Sequence, residues 1–336
     1  MIAAAPSMDR GGITRCPSSW YLVAPAAALK PGGVIAAEIG GQELVLFRDA
    51  GGAAHALAAH CVHMGCHLKH GQVIGDRLRC PLHFRQFDGA GRCRAVPGGK
   101  AALSPQQPTY PLLERFGGLF VFVGPGSVFD FPAPHDRAAE SFVTSVTPPF
   151  DFPLSWYALT ANGCDLDHLQ SVHMRRLKEP PEVGRVSSQI FRVRYRTRVI
   201  GQRPADWLMR WISGDDIRAS ITCLGGSLML VESTLKNRQS FLLLSMRPTE
   251  SGTSIQGVVG LPRSRSRLTD WIRIRLASWL FLSFLRRDLG ILGGQKMHRP
   301  SPAITDGDRY VSQLFDYFES LDRSSLNLIE REAVNQ

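Results

Sequence analysis

Cys61-Val62-His63-Met64-Gly65-Cys66-His67-Leu68 and Cys80-Pro81-Leu82-His83, with sixteen residues between His63 and Cys80, are the stretch from which the rest of the chain is read. Two cysteines and two histidines arrive as C-x-H and C-x2-H, a donor set of two thiolates and two imidazoles. Seven cysteines in 336 residues are too few for a disulfide scaffold, so paired Cys and His spacing points to metal chemistry.

The surroundings decide which metal. Trp20–Val23, Val34–Ile39 and Glu43–Phe47 read as strands, the last two joined at Gly40-Gly41, and strand runs continue to Gly118–Val123. No good helix interrupts them, which predicts a small all-β domain over 16–125 after a patternless, flexible tail, 1–15. A zinc finger places its ligands on a knuckle and a following helix. Here both pairs sit in turns between strands, one Cys and one His from each of two loops. That order suits a [2Fe–2S] cluster in which two thiolates hold one iron and two imidazoles the other. Neutral imidazoles lower the negative charge on such a cluster and ease its reduction.

Together with Gly71, Gly75-Asp76, Phe87-Asp88 and Gly91, these residues resemble the Rieske signature of ring-hydroxylating and demethylating oxygenases. Cys61, His63, Cys80 and His83 are the cluster ligands that the resemblance implies. Two positions depart from it. Arg85 stands where the family often has Trp, and Leu82 stands where respiratory Rieske proteins carry the partner of a second cysteine, so Cys66 has no cluster-flanking disulfide. His60, His67 and His70 lack the ligand spacing and read as loop or surface residues.

Beyond a Pro-rich connection the pattern changes. Trp156–Arg176 reads as a helix, followed by strands at Gln189–Ile200, Arg218–Cys223, Ser227–Glu232, Gln239–Met246 and Thr253–Gly260. Helices are predicted over Ser266–Leu285, mostly buried, and Asp306–Leu321, with Thr305 as N-cap. Within the first helix lies Asn162-x2-Asp165-x2-His168-x4-His173. Asp165 and His168 share a helical face, whereas His168 and His173 lie about 140° apart on the wheel and reach one metal only if the helix ends or distorts between them. The segment resembles the mononuclear-iron motif of the same family, whose third ligand is a distant aspartate near a glutamine. Asp288, seven residues before Gln295 and among apolar neighbours, fits best. Asp306 and Asp308 read instead as first-turn helix acids. The resemblance places Asp165 between two metal centres of adjacent subunits rather than on the iron, and Asp167 is expected in solvent.

The resulting expectation is an α+β protein, an N-terminal all-β Rieske [2Fe–2S] domain followed by a helix-grip (START-like) catalytic domain over 126–336 with mononuclear Fe(II). What the resemblance implies is a terminal oxygenase, of the branch that holds O-demethylases, steroid hydroxylases and chlorophyll-breakdown oxygenases. It would monooxygenate a bulky apolar or aromatic substrate as a homotrimer. The chain has no G-x-G-x-x-G, so a separate NAD(P)H-dependent reductase, with or without a ferredoxin, is expected to supply electrons. The rival reading is a Rieske electron carrier with a non-catalytic lipid- or sterol-binding domain. The net charge of +10 comes without a Lys/Arg tail carrying interleaved aromatics, so nucleic acid is not expected. Arg192, Arg194, Arg196 and Arg198 alternate with Phe191, Val193, Tyr195, Thr197 and Val199, the mark of a half-exposed strand. No secretory leader is read and Trp271–Leu285 is too short to span a bilayer, so a cytoplasmic protein is expected. Peripheral membrane contact by the basic flank Arg263–Arg275 is the less favoured reading.

Overall fold

The computed structural model describes residues 16–321 except 102, 103, 126, 127, 203 and 296; the expected tail, 1–15, and the segment 322–336 lie outside them. The N-terminal part holds eleven strands among the described residues: β1 (Ser19–Pro25), β2 (Val34–Ile39), β3 (Gln42–Arg48), β4 (Ala54–Ala58), β5 (Gln72–Ile74), β6 (Arg77–Arg79), β7 (Gln86–Asp88), β8 (Cys93–Ala95), β9 (Thr109–Tyr110), β10 (Leu112–Arg115) and β11 (Gly118–Val123). They form three sheets, ordered β1-β11-β10, β2-β3-β4-β9 and β5-β6-β7-β8. Alternation explains the layers. On β3, Leu44 and Leu46 enter a core with Tyr21, Ile39 and Val121, while Val45 and Phe47 enter another with Leu57, Leu78 and Phe87. The second core packs directly beneath Cys61 and Cys80.

The second part is built on one antiparallel sheet of nine strands. They are β12 (Phe142–Val146), β13 (Phe150–Phe152), β14 (Arg175–Leu177), β15 (Glu182–Ser187), β16 (Ile190–Val199), β17 (Ile217–Leu224), β18 (Leu228–Leu235), β19 (Arg238–Thr249) and β20 (Gly252–Pro262). The order is β12-β20-β19-β18-β17-β16-β14, with β13 beside β20 and β15 beside β16. The helices are α1 (Trp156–Cys164), α2 (Leu166–Ser171), α3 (Pro204–Ser213), α4 (Arg267–Leu292) and α5 (Asp306–Glu319). The protein is thus α+β, with a sheet-rich second part after an all-β first part. Trp20, Leu22, Phe120 and Phe122 of the first part share a core with Phe142, Leu230, Phe241 and Val258 of the second. Burying each such Phe contributes about 2 kcal/mol, so this seam fixes the two parts against each other.

Two expectations need correction, and one helix was not foreseen. The helix from Trp156 stops at Cys164, restarts at Leu166 and ends at Ser171, and Arg175–Leu177 is a strand paired with Thr197–Val199. Capping by Asp165 and the demand for edge pairing at β14 override helical periodicity. The long helix runs past Asp288 to Leu292 and is not mostly buried, because it lies on β12 and β20 by one narrow side. Helix α3 gave no sequence reading: only ten residues long, it opens at Pro204 in a stretch without caps that stand out. The last helix is as expected, with Thr305 and Asp308 forming a reciprocal capping box.

Candidate metal centres

Two loops meet at one end of the N-terminal part. Cys61 opens a turn in which Gly65 N donates to Cys61 O at 2.8 Å, and Cys80 opens another in which Phe84 N donates to Cys80 O at 3.1 Å. Each loop then returns to its strand, Cys61 N donating to Cys66 O and Cys80 N to Arg85 O. Gly65 supplies a positive φ of 70° without cost, while Phe84 holds 56° in the matching position of the second loop. Gln107, fully buried, braces the first loop: its Nε2 donates to Ala58 O and His60 O, and its Oε1 accepts from Val62 N. No spacing rule in the sequence marked Gln107.

The four expected ligands come together. Cys61 and Cys80 are buried at 3% and 1% exposure, and burial, with Cys80 close by, pushes the Cys61 thiol up to about 11. His63 and His83 lie outside them with ring centroids 4.8 Å apart. Two thiols inside and two imidazoles at the surface form the asymmetric donor set that a two-iron cluster with two His ligands takes. Cys66 adds a third thiol near Cys80 and stands in no disulfide. His60 and His67 are absent from this group; both face Glu43, with His60 Nε2 2.7 Å from its Oε2.

The second centre is assembled from α2, the turn after it, and α4. Asp165 is the N-cap of α2: its Oδ1 accepts from Asp167 N at 2.9 Å and from His168 N at 3.0 Å. The carboxylate therefore faces the backbone of His168 and the positive end of the helix rather than lying one turn back on a continuous face. Helix α2 ends at Ser171, before His173, and Met174 adopts φ 51°. The chain thus turns back, bringing the His168 and His173 rings to 5.0 Å between centroids. From α4, Asp288 Oδ1 lies 3.0 Å from His173 Nε2 and 3.4 Å from His168 Nε2. These three donor atoms all lie within 4.8 Å of one another. Asp288 Oδ1 is buried and, beyond these two imidazoles, has no partner among the described residues. Burial pushes its carboxyl up, but the nearness of His168 and His173 more than reverses this and leaves it below the ordinary value. Two imidazoles and one carboxylate, with an orphaned oxygen between them, fit an iron held on one face. Asn162 closes the far side, its Nδ2 3.4 Å from His168 Nε2. Asp167 is exposed as expected, yet its Oδ2 accepts from Thr305 Oγ1 at 2.8 Å, tying α2 to the start of α5.

A cavity of about 450 Å3 opens beside this centre, with Asn162, His168, His173 and Asp288 in its wall. Its apolar lining includes Leu159, Met229, Leu242, Leu244 and Phe281. Polar groups interrupt it, Tyr195 and Arg175 among them. Tyr195, on the inward face of β16, has a hydroxyl that burial pushes up to about 12. Arg175 is 8% exposed and its Nη1 makes no hydrogen bond. The strand alternation exposed Tyr195 to a sequence reading; Arg175 was masked by the helix expected there.

Residues 19–111 match the Rieske [2Fe-2S] domain family. The chain is 34% identical over 110 residues to the oxygenase component of 3-ketosteroid-9-alpha-monooxygenase of Rhodococcus rhodochrous, which covers 32% of this chain and 29% of that protein. It is 31% identical over 173 residues to 4beta-methylsterol monooxygenase of Methylococcus capsulatus, covering 48% of this chain and 45% of that one. The matches therefore span less than half the length of these curated relatives. Among solved structures, dicamba monooxygenase bound to dicamba superposes with a TM-score of 0.62 at 21% identity, covering 94% of this chain and 98% of that one. Pseudomonas putida CBB5 NdmA with caffeine gives 0.65 at 21% identity, covering 89% of each. The N-terminal part is a Rieske [2Fe–2S] domain, and nearly the whole chain shares the fold of these oxygenases.

Proposed function

We propose that the chain is the oxygenase component of a Rieske-type monooxygenase, with residues 16–125 as its cluster domain and 126–336 as its catalytic domain. Cys61, His63, Cys80 and His83 would hold the [2Fe–2S] cluster, and His168, His173 and Asp288 the Fe(II). The observation that carries the reading is the orphaned Asp288 oxygen between two imidazoles at the wall of an apolar cavity. A lipid-binding domain without chemistry gains nothing from a carboxylate buried there at a cost of several kcal/mol.

When bound, the two groups supply electron transfer and the reduction of O2. The chain's own residues do the rest. The turn at Val172 brings the two imidazoles together, and Asn162 stands beside the His168 ring. Leu242, Leu244 and Phe281 exclude water and seat a hydrophobic ring system beside the open face of the centre. Arg175 and Tyr195 offer hydrogen-bond donors that fix the orientation of a substrate carrying one polar acceptor. One oxygen atom enters a substrate C–H bond and the other leaves as water, by hydroxylation or as the first step of oxidative demethylation. Electrons come from a separate NAD(P)H-dependent reductase, with or without a ferredoxin. A homotrimer supports the transfer best, with His83 of one subunit facing Asp165 and His168 of the next.

A single-turnover assay tests this. The holoprotein, chemically reduced and then exposed to O2 with steroid and aromatic ether candidates, should yield a product one oxygen heavier or a demethylated one. A cluster that is reduced and reoxidised by O2 at the same rate with and without every candidate, and that yields no product, would favour the electron-carrier reading.

A further inference from the structure

Helix α4 turns an apolar stripe outward. Leu268, Trp271, Ile272, Leu276 and Trp279 recur at three- and four-residue spacing and are 68%, 53%, 52%, 57% and 62% exposed. Helix α3 adds Trp207 and Trp211, four residues apart, at 63% and 75% exposure. Four exposed tryptophans on two helices that both reach the cavity make an apolar surface of a kind that soluble proteins rarely leave bare. Its position is informative. Met209 of α3 and Leu276 of α4 both line the cavity, and Leu276 is also more than half exposed, so the patch rims the cavity mouth.

The charge around the patch selects its occupant. Arg263, Arg265, Arg267 and Arg275 are exposed along it, and Arg275 lies over the Trp271 ring at 4.5 Å. Asp270, the acid in the first turn of α4, is buried beneath the helix, where its Oδ1 accepts from Ser264 N. The exposed stripe from Arg267 to Trp279 therefore carries no acidic side chain. A second copy of the chain would set these arginines against their own equivalents, which costs association energy. A bilayer with anionic headgroups satisfies both features, since Trp rings settle at headgroup level and Arg stems lie along the apolar surface with their charges in the phosphate layer. No helix among the described residues is long and apolar enough to cross a membrane, so the contact is peripheral.

We propose that α3 and α4 dock the protein on an anionic phospholipid surface, with the cavity mouth facing the bilayer. A membrane-dissolved apolar substrate then enters without crossing water. Docking goes beyond the oxygenase reading and is measured without turnover, so either idea fails separately.

The test is co-sedimentation of the holoprotein with phosphatidylcholine vesicles, with and without phosphatidylglycerol. Binding is expected to the anionic vesicles only, with a blue shift of Trp emission. The double variants Trp271→Ala/Trp279→Ala and Arg265→Gln/Arg267→Gln should each bind roughly tenfold more weakly. Arg194→Gln, on the exposed face of β16, should bind as the parent does, and all variants should keep the parent's oligomeric mass. Equal binding to both vesicle types, binding to neither, or tryptophan variants that change the oligomeric mass would overturn the proposal, the last by assigning the patch to contact between copies.

Discussion

Asp288 Oδ1 stands 3.0 Å from Nε2 of His173, a contact between the last turns of α4 and the turn that follows α2. Two elements far apart in sequence meet at one buried atom, and among the described residues no other group donates to it. Asp288→Ala should therefore abolish mononuclear iron binding and product formation while leaving the cluster's visible spectrum unchanged. Iron analysis beside the absorption spectrum checks this. Full iron occupancy in the variant would move the third ligand elsewhere.

Asp165 caps α2 through the amides of Asp167 and His168. Asn caps about as well as Asp, so Asp165→Asn should keep the fold and both metals. If its charge serves transfer between subunits, the variant should slow oxidation of the cluster during turnover, followed by stopped-flow absorbance. Unchanged transfer would reduce Asp165 to a cap.

The inter-subunit route makes a separate prediction. Cys80→Ala removes a cluster ligand and His168→Ala an iron ligand, so each protein alone should be inactive. Co-expressed, they should form mixed rings in which an intact cluster faces an intact iron, with part of the activity restored. Mixed oligomers that form and stay inactive would contradict the route.

Asp88 anchors the turn between β7 and β8. Its Oδ1 accepts from Ala90 N and Arg92 N, and its Oδ2 pairs with Arg92 and Arg94. Burial pushes its carboxyl up, but Arg94 and Arg92 pull it further down, below the ordinary value. A carboxyl lowered on folding stabilises above its unfolded value and loses that contribution as pH falls through the folded one. Asp88→Asn should cost about 1–3 kcal/mol at neutral pH, with the gap to the parent narrowing below about pH 4. Thermal melts of the pair across that range decide it; a gap independent of pH would show that charge is not involved.

Arg175 is the reverse case, a buried guanidinium whose Nη1 lacks a hydrogen bond. Replacement by an apolar side chain of similar length removes a desolvated charge, so Arg175→Met should match or exceed the parent's stability while weakening substrate binding. A loss of more than about 2 kcal/mol in denaturant melts would show that the charge is already paired in the folded protein.

Local signals carried the first centre and half of the second. C-x-H and C-x2-H are read directly because each pair lies within one turn, and His168 and His173 because they share one segment. The break between them was required by helical geometry, but its cause, Asp165 turning onto the backbone of His168, was not legible, since an Asp at that spacing serves equally on a helix face. Asp288 came from family likeness and apolar context, and its place inside α4 rather than after it follows from packing on β12 and β20. Gln107 and Arg175 act through tertiary contacts that leave no periodic trace. The exposed side of α4 misled for the same reason: apolar content predicts burial, and only the sheet beneath decides which side is covered.

The central claim, a two-iron cluster and one further iron in a single chain, is tested most directly by elemental analysis of the purified protein with acid-labile sulfide. The account predicts about three irons and about two sulfides per chain, falling to about two irons with sulfide unchanged in Asp288→Ala. Stoichiometric zinc without labile sulfide would contradict the cluster, and a parent that holds only the cluster's irons after incubation with Fe(II) would contradict the oxygenase.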